Sequence, residues 1–318
     1  MKKILTKGLL FIASFFAVYL IMFAVLFFIQ PGGIPFIYRA TQGNVWKGGG
    51  THLKFQQFDR TKKWDVIVLG SSHAYRGYDP LVFSLHDLEM YNLGTSNQHM
   101  MCSYQITKTH INKDNCKLLI LDLFDKVFAN NDIESKSDII QNVDDDKTAI
   151  ATAFASGDIR ALNMITLRYF NKTLAPLNTD TIGYRNGYLK AHKLLDPKKK
   201  DITKMNWKYT AVPSQKKYLR ILLEYCRKEG IQIIAVSHPT PHIYPMRDHD
   251  KFLADVNPLF KKYNVPYYDY THYKEMGNIN FYSDPTHLNQ IGTIRFNKML
   301  IKDLIKDGII PKKIEKKK

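Results

Sequence analysis

Two patterns of apolar residues divide this chain: one long uninterrupted run near the beginning, and short runs spaced along the rest. From Gly8 to Ile29, 22 residues follow one another without a charge. At about 1.5 Å of rise per residue, a helix of this length crosses a hydrocarbon core of roughly 30 Å. Lys2, Lys3 and Lys7 precede the run, and a Gln-Pro-Gly-Gly segment that stops a helix follows it. Because basic residues favour the cytoplasmic side, the pattern predicts a helix whose amino end is inside and whose carboxyl end is outside.

The length of the run separates two interpretations of this segment. A cleaved signal peptide has a shorter apolar core and small residues at a cleavage site, and neither feature is present. A buried globular helix is rarely apolar on every face over such a length. We therefore expect residues 1–30 to be an uncleaved anchor in the cytoplasmic membrane and the Gly-rich residues 31–63 to be a membrane-proximal stalk. The main domain is then expected on the periplasmic or extracellular side.

Beyond position 63, short apolar runs alternate with stretches of helical period. The runs that predict strands are Asp65–Leu69, Met90–Leu93, Lys117–Leu123, Ile231–Val236 and Val265–Asp269. Nearly continuous apolar runs are typical of parallel strands that are buried on both faces. The chain is therefore expected to form an α/β domain in which a parallel sheet lies between two layers of helices.

Residues 125–212 interrupt this alternation with a short helical stretch and a turn-rich segment. Their apolar content is thin for a separate domain, which is the alternative. We expect an insertion over one end of the sheet, within an α/β domain of residues 64–310. The lysine-rich residues 311–318 are expected to be a solvated basic tail.

The composition excludes several classes of protein. Lys and Arg number 46 against 29 Asp and Glu, which gives a formal net charge of +17. The excess lies in blocks without interleaved aromatic residues, and a domain outside the cytoplasm does not meet nucleic acid, so we expect no nucleic-acid partner. Three cysteines (Cys102, Cys116 and Cys226) are too few for a disulfide scaffold and lack the spacing of a zinc site. No phosphate loop or dinucleotide fingerprint is present, and we expect neither a metal nor a cofactor.

A serine follows the first predicted strand. That strand runs directly into Gly70-Ser71-Ser72-His73. A serine at this point lies at the carboxyl end of the sheet, where α/β proteins bind ligands, and beside the N–H groups of a helix N-terminus. By itself, the segment is equally the pattern of an ordinary helix cap.

Two further segments carry groups of complementary chemistry. Asp284 stands three residues before His287, on a Pro-containing loop that leads into the last predicted helix. A carboxylate at this spacing reaches the imidazole and holds one tautomer, so that the other nitrogen can take a proton from a serine. A capping Asp and a surface His are the alternative. After the second strand, residues 92–97 are rich in Gly and Ser and can direct backbone N–H groups at an oxyanion.

Together these segments resemble the SGNH, or GDSL-type, hydrolase superfamily, over the whole α/β domain apart from the insertion. The resemblance implies a three-layer, flavodoxin-like fold. It also implies that Ser72 is the nucleophile, His287 the general base and Asp284 the acid that orients the base. The backbone N–H groups of Ser72, Gly94 and Asn97 are the oxyanion donors that it implies.

The chain departs from the family pattern in two blocks. Asn97 stands where the second block has a glycine. The third strand ends in Leu121-Asp122-Leu123-Phe124-Asp125-Lys126 and lacks the Asn whose side chain donates to the oxyanion. An ionised carboxylate cannot donate a hydrogen bond, and the loss of one such donor costs about 100-fold or more in rate. The third donor is therefore missing or comes from another part of the chain.

Three features resemble a narrower branch of the superfamily: Ser71-Ser72 in place of Asp-Ser, a single anchor, and a large insertion. That branch contains membrane-anchored proteins that help transfer acyl groups onto envelope polymers, often beside a multi-spanning membrane O-acyltransferase. The resemblance implies O-acyl, above all O-acetyl, ester chemistry on a cell-envelope carbohydrate or acylated glycan, as an esterase or an acyltransferase. The alternative is a non-catalytic partner of a membrane O-acyltransferase system. His73 and His238 are expected to contact the substrate, with structural roles as the alternative.

Overall fold

Strands and helices alternate through the part of the chain that the computed structural model describes, which is residues 2–33, 35–37, 49–174, 184–196, 208–245 and 248–312. The strands are β1 (Trp64–Leu69), β2 (Met90–Asn92), β3 (Cys116–Leu123), β4 (Tyr184–Arg185), β5 (Tyr188–Leu189), β6 (Ile233–Ser237) and β7 (Tyr267–Asp269). The α-helices are α1 (Lys2–Phe28), α2 (Gly49–Gln57), α3 (Ser72–Gly77), α4 (Pro80–Ser84), α5 (Met100–His110), α6 (Asp125–Phe128), α7 (Glu134–Asn142), α8 (Asp146–Ser156), α9 (Ile159–Leu174), α10 (Pro213–Glu229), α11 (His249–Tyr263) and α12 (Gln290–Lys306).

The central sheet is parallel, and its strands lie in the order β2-β1-β3-β6-β7. Counted among the sheet strands alone, this is the 2-1-3-4-5 order of flavodoxin-like folds. The predicted fold class, a three-layer flavodoxin-like α/β domain, is therefore confirmed. The strand order reverses at β1 and β3, and in such sheets ligands bind beyond the carboxyl ends of the strands at this point.

Successive side chains of the strands pack into two separate apolar layers. Ile67 and Leu69 of β1 belong to the layer that includes α5, α10 and α11. Val66 and Val68 belong to the layer that includes α3, α4 and α12. None of these four side chains is exposed to solvent. Burial on both faces explains why the strands form continuous apolar runs in the sequence.

Helix α2 lies within the segment that was expected to be a stalk, and it packs on the α/β domain. Phe55 is 0% exposed and shares the apolar layer of α5. Its ring centroid is 5.3 Å from that of His110. The folded domain therefore begins before position 64. Of the expected stalk, residues 34 and 38–48 lie outside the described residues, as does the expected basic tail beyond Lys312.

The expected insertion holds α6 to α9 and the hairpin of β4 and β5. Residues of α7, α8 and α9 form an apolar cluster apart from the two sheet layers, and α1 packs on this cluster. The hairpin meets the carboxyl end of β2, where the backbone N–H of Asn92 donates to the carbonyl of Asn186 at 2.9 Å. By length and composition, α1 is suited to cross a membrane.

Candidate active site

Ser72 is the first residue of α3, directly after the turn that ends β1. Gly70 in this turn has a φ of +147°, and a Cβ there would lie 2.8 Å from the Cβ of Asp122. Glycine is therefore required for the close approach of this turn to β3. The hydroxyl of Ser71 caps the helix by accepting the backbone N–H of His73. These contacts fix the Ser72 hydroxyl at the carboxyl end of the sheet.

Asp284 and His287 lie on the tight loop before α12. The carboxylate of Asp284 accepts the backbone N–H groups of Thr286 and His287, each at 3.0 Å. It also accepts the ring Nδ1–H of His287, at 2.8 and 2.9 Å from its two oxygens. Burial favours the neutral acid, but the hydrogen bonds outweigh it and lower the pKa of Asp284 to about 2. The ionised carboxylate can only accept, which fixes a proton on Nδ1 and leaves Nε2 of His287 as an acceptor.

The serine and the histidine meet in space. Ser72 Oγ is 2.7 Å from His287 Nε2, although the two residues are 215 positions apart. Hydroxyl, imidazole and carboxylate therefore form one continuous hydrogen-bonded relay. This is the geometry of a serine nucleophile with its base and the group that orients the base.

No family model matches the sequence, and no curated protein matches it. The sheet has the flavodoxin-like strand order, and the relay lies at the carboxyl end of its strands. Among solved structures the chain is similar to the acetyl xylan esterase AlAXEase, with 12% identity, 76% of this chain and 100% of that chain covered, and a TM-score of 0.43. It is also similar to a lipase/acylhydrolase from Enterococcus faecalis (11% identity, 76% and 96% covered, TM-score 0.39). A third similar structure is a catalytic mutant of an acetylxylan esterase from Geobacillus stearothermophilus (9% identity, 76% and 94% covered, TM-score 0.41).

The turn after β2 offers one of the two backbone donors expected there. The N–H of Gly94 donates to the side-chain oxygen of Asn92 at 3.0 Å, so the structure does not support Gly94 as an oxyanion donor. Asn97 lines the cavity and has a φ of +45°, a left-handed conformation that Asn adopts more readily than most residues other than Gly. Within the described residues, the backbone N–H groups of Ser72 and Asn97 have no hydrogen-bond partner. Both are therefore available to an oxyanion.

Polar side chains from α2, and from the insertion at and just before α7, hold this turn in place. The contacts are Ser96 N–H to Asp138 at 3.3 Å, the Ser96 hydroxyl to Glu134 at 2.5 Å, the Asn97 side-chain amide to Asp132 at 2.7 Å, and the ammonium of Lys54 to the carbonyl of Gly94. Burial lowers the pKa of Lys54 to about 7, against the opposing effect of the nearby Asp138 carboxylate. Sequence reasoning missed these residues because separated acidic residues and a single lysine give no local signal.

The end of β3 has no side-chain amide at the place where the resemblance implied an oxyanion donor, and its acidic residues Asp122 and Asp125 bond to other side chains. Asp122 accepts the hydroxyl hydrogen of Tyr78 at 2.8 Å, and burial raises the pKa of Asp122 well above its usual range. Asp125 bonds to the ring of His249 at 2.8 Å. Phe124 lines the cavity instead. Among the described residues, Phe124 therefore gives this edge of the cavity an apolar side chain in place of an amide donor.

His73 and His238 form a stack with His287. The ring centroid of His73 is 4.4 Å from that of His287 and 4.0 Å from that of His238, with interplanar angles of 16° and 28°. His238 is 2% exposed and its Nε2–H donates to the carbonyl of Thr286 at 3.2 Å, so the structure does not bring this residue to the substrate cavity as expected. His73 lines the cavity wall, but it is also buried. Burial lowers the pKa of His238 to about 3 and that of His73 well below its usual value, so both rings are neutral near pH 7.

The relay opens into a cavity of about 550 Å³. Apolar walls from Phe124 and Val127 face the charged side chains of Lys126, Asp132 and Glu134. Cavities of this size with a few polar groups are typical of small-molecule sites. The cavity therefore has both the room and the hydrogen-bonding groups for a sugar-sized ligand.

One cluster among the described residues has the spacing of metal ligands. His110, Asp144 and Asp145 place ligand atoms within 4.8 Å of one another. The guanidinium of Arg60 donates to Asp144 at 2.6 Å and lies 2.7 Å from Nε2 of His110. A positive charge is therefore already present in this cluster, and we assign no metal to it.

Proposed function

We propose that this protein is a serine-dependent O-acyl ester enzyme, an esterase or an acyltransferase, that acts on acetyl esters of a cell-envelope carbohydrate. The single observation that carries the proposal is the relay, in which Ser72 Oγ lies 2.7 Å from Nε2 of His287 while Asp284 holds Nδ1. A chance hydrogen bond between two surface residues would not also include a carboxylate on the second ring nitrogen.

In the first half of the reaction, Ser72 Oγ attacks the ester carbonyl carbon and gives its proton to Nε2 of His287. The ionised Asp284 stabilises the imidazolium that forms. The carbonyl oxygen becomes an oxyanion and accepts hydrogen bonds from the free N–H groups of Ser72 and Asn97. The bond to the leaving alcohol then breaks, the alcohol takes the proton from His287, and an acyl-Ser72 remains.

In the second half, a new hydroxyl group enters. Water or a sugar hydroxyl gives its proton to His287 and attacks the acyl carbonyl, and Ser72 recovers the proton when the intermediate collapses. Water as the acceptor makes the protein an esterase, and a sugar hydroxyl makes it an acyltransferase. The cavity of about 550 Å³ has room for such an acceptor beside the acylated serine.

Helix α1 supports the proposed location in the cell envelope. This helix is long and apolar enough to span a membrane, and three lysines lie at its amino end. We propose that it anchors the chain in the cytoplasmic membrane with the α/β domain outside. A multi-spanning O-acyltransferase in the same membrane is the partner we propose for the transferase function.

A fluorophosphonate probe tests the chemistry directly, because it forms a covalent bond with an activated serine. We expect the full chain to be labelled, Ser72→Ala to lose labelling, and Ser71→Ala to keep it. His287→Ala should also lose labelling, since Ser72 then has no base. Labelling that survives in Ser72→Ala would refute the assignment of the nucleophile.

One observation favours the non-catalytic alternative, namely the apolar edge that Phe124 forms where a third oxyanion donor would lie. Folded protein that neither reacts with the probe nor hydrolyses an aryl acetate would support a binding partner without activity. If activity is found, analysis of the products from an acetylated donor with and without a glycan acceptor separates hydrolysis from transfer.

A further inference from the structure

Helix α1 is packed against the insertion over part of its apolar length. Phe23 and Phe27 are 2% and 1% exposed, and both rings lie 5.4 Å from the ring of Phe170 in α9. The hydroxyl of Tyr19 donates to the side-chain oxygen of Asn163 at 2.8 Å. The carboxyl-terminal third of α1 is therefore an interface with α9.

The two helices run in the same direction. Tyr19 meets Asn163, and Phe23 and Phe27, further along α1, meet Phe170, further along α9. Tyr19 lies about 10 residues before the end of the apolar run, which corresponds to about 15 Å along a helix. If α1 crosses the membrane as proposed, α9 lies beside its outer half. The amino end of α9 is then the part closest to the bilayer centre.

Large apolar side chains are exposed at that end of α9 and at the adjoining end of α8. Phe154, the third-last residue of α8, is 73% exposed, and Ile159, the first residue of α9, is 71% exposed. Leu162 and Tyr169 extend this surface along α9, with 39% and 52% exposed. We call these four residues the insertion tip. Exposure of an apolar surface to water is unfavourable, whereas a lipid surface would cover it.

We propose that the insertion tip enters the hydrocarbon region of the membrane that α1 spans, so that the domain is held at the membrane by two elements rather than one. The inference rests on the proposed anchoring of α1. It is carried by the continuity of the two apolar surfaces, because the exposed flank of α1 and the insertion tip adjoin the same helix interface.

Charge near the tip is paired. Asp158 and Arg160 lie in and next to the turn between α8 and α9, and they form a close ion pair at 2.6 Å. Pairing offsets part of the cost of bringing both charges towards lipid. The Tyr19 hydroxyl is likewise satisfied by Asn163, as a polar group within a membrane interface must be.

Site-directed spin labelling tests this placement in the full chain, reconstituted in phospholipid nanodiscs. The native cysteines suit the method, because Cys102, Cys116 and Cys226 are all buried and burial raises the pKa of each thiol to about 12. A new exposed cysteine is therefore labelled selectively. The test variants are Phe154→Cys and Ile159→Cys, at positions where the substitution removes little buried surface.

Two control variants bracket the result. Phe11→Cys, 74% exposed on α1, reports the lipid environment of the anchor, and Ile291→Cys, 60% exposed on α12, reports water. The readout is the collision of the nitroxide with oxygen, which enriches in lipid, against collision with a water-soluble nickel chelate. We expect the labels at 154 and 159 to resemble the label at 11, with strong oxygen and weak nickel collisions.

Each other outcome overturns the proposal in a distinguishable way. Labels at 154 and 159 that resemble the label at 291 show that the tip lies in water, while the anchor and the proposed chemistry stand. If the labels at 154 and 159 collide with neither oxygen nor the nickel chelate, protein covers the tip. A water-exposed label at 11 removes the anchor itself, and with it the membrane location in the proposed function.

Discussion

The conformation of Asn97 gives the sharpest test of its proposed role as an oxyanion donor. Asn97 lines the cavity with a φ of +45°, its backbone N–H has no partner among the described residues, and its side-chain amide donates to Asp132 at 2.7 Å. Asn97→Gly keeps the conformation accessible and loses the side-chain bond. Asn97→Ala loses the same bond and also disfavours the left-handed conformation. The difference between the two variants therefore isolates the backbone geometry.

The size of the effect follows from the backbone energetics. A left-handed conformation costs an ordinary residue about 1–2 kcal/mol, while Gly adopts it at no steric cost. About 1.4 kcal/mol corresponds to a factor of ten in an equilibrium. Ala can therefore lower the fraction of molecules whose turn has the left-handed conformation by up to about 5–30-fold relative to Gly. The ceiling is the loss of the whole donor, which costs about 100–1000-fold.

The assay is kcat/KM for an aryl acetate at 25 °C, with thermal unfolding measured on the same samples. We expect Asn97→Gly to lie within about fivefold of the wild type and Asn97→Ala to lie below it, within the limits above. Asn264→Ala is the matched control, because Asn264 has a φ of +54° at the end of α11, on the surface and outside the cavity. It should lose stability and keep activity. If Asn97→Ala is as active as Asn97→Gly, the left-handed backbone conformation at position 97 is not important for activity.

Three further predictions concern packing, pH and the histidine stack. Phe55→Ala should lower the free energy of unfolding by about 3–5 kcal/mol, which corresponds to a fall in Tm of about 6–20 °C. A change below about 1 kcal/mol would show that α2 does not contribute to the folded domain. Burial opposes a charged His249, but hydrogen bonds to Asp125 and Asp269 outweigh it and raise the pKa of His249 to about 10. The stabilising effect of charged His249 is therefore complete below about pH 6.5 and is lost as the pH rises through 10. Chemical denaturation should show that the free energy of unfolding of the wild type falls over this pH range relative to that of His249→Gln. Free energies of unfolding that change in parallel with pH in the two proteins would contradict this. His238→Phe should keep the ring stack and His238→Ala should not, so kcat should fall more in the Ala variant. The acid limb of the pH profile of kcat should stay unshifted in the Phe variant. A shifted acid limb would show that His238 titrates with the active site.

The strands could be predicted because burial on both faces makes them apolar throughout, whereas α2 could not. Its sequence carries a buried lysine, Lys54, whose ammonium donates to the carbonyl of Gly94 in the turn after β2. Nothing local indicates such a partner. The hairpin of β4 and β5 was predictable in part, since Asn186-Gly187 favours a tight hairpin turn. From the sequence, we predict only a turn-rich segment there.

The candidate site was predictable to the extent that strand ends and loop spacing determine position. The relay needed only a serine after β1 and an Asp-x-x-His before α12. The direction of a side chain or N–H at the same edge was not predictable: the N–H of Gly94 turns to Asn92, and His238 turns to the carbonyl of Thr286. Each choice depends on a partner that only the folded chain brings close.

The histidine stack has a consequence for proton economy during turnover. In the proposed reaction, His287 takes a proton at Nε2 while its ring face lies against that of His73, and the faces of imidazole rings do not exchange protons. Within the described residues, Nε2 of His73 and Nδ1 of His238 have no hydrogen-bond partner, so no conducting chain of hydrogen bonds leads inward from the base. In the proposed reaction, we therefore expect the proton on Nε2 to return towards the cavity, to the oxygen of the leaving group or of Ser72. The stack would then block proton loss through the buried face of His287.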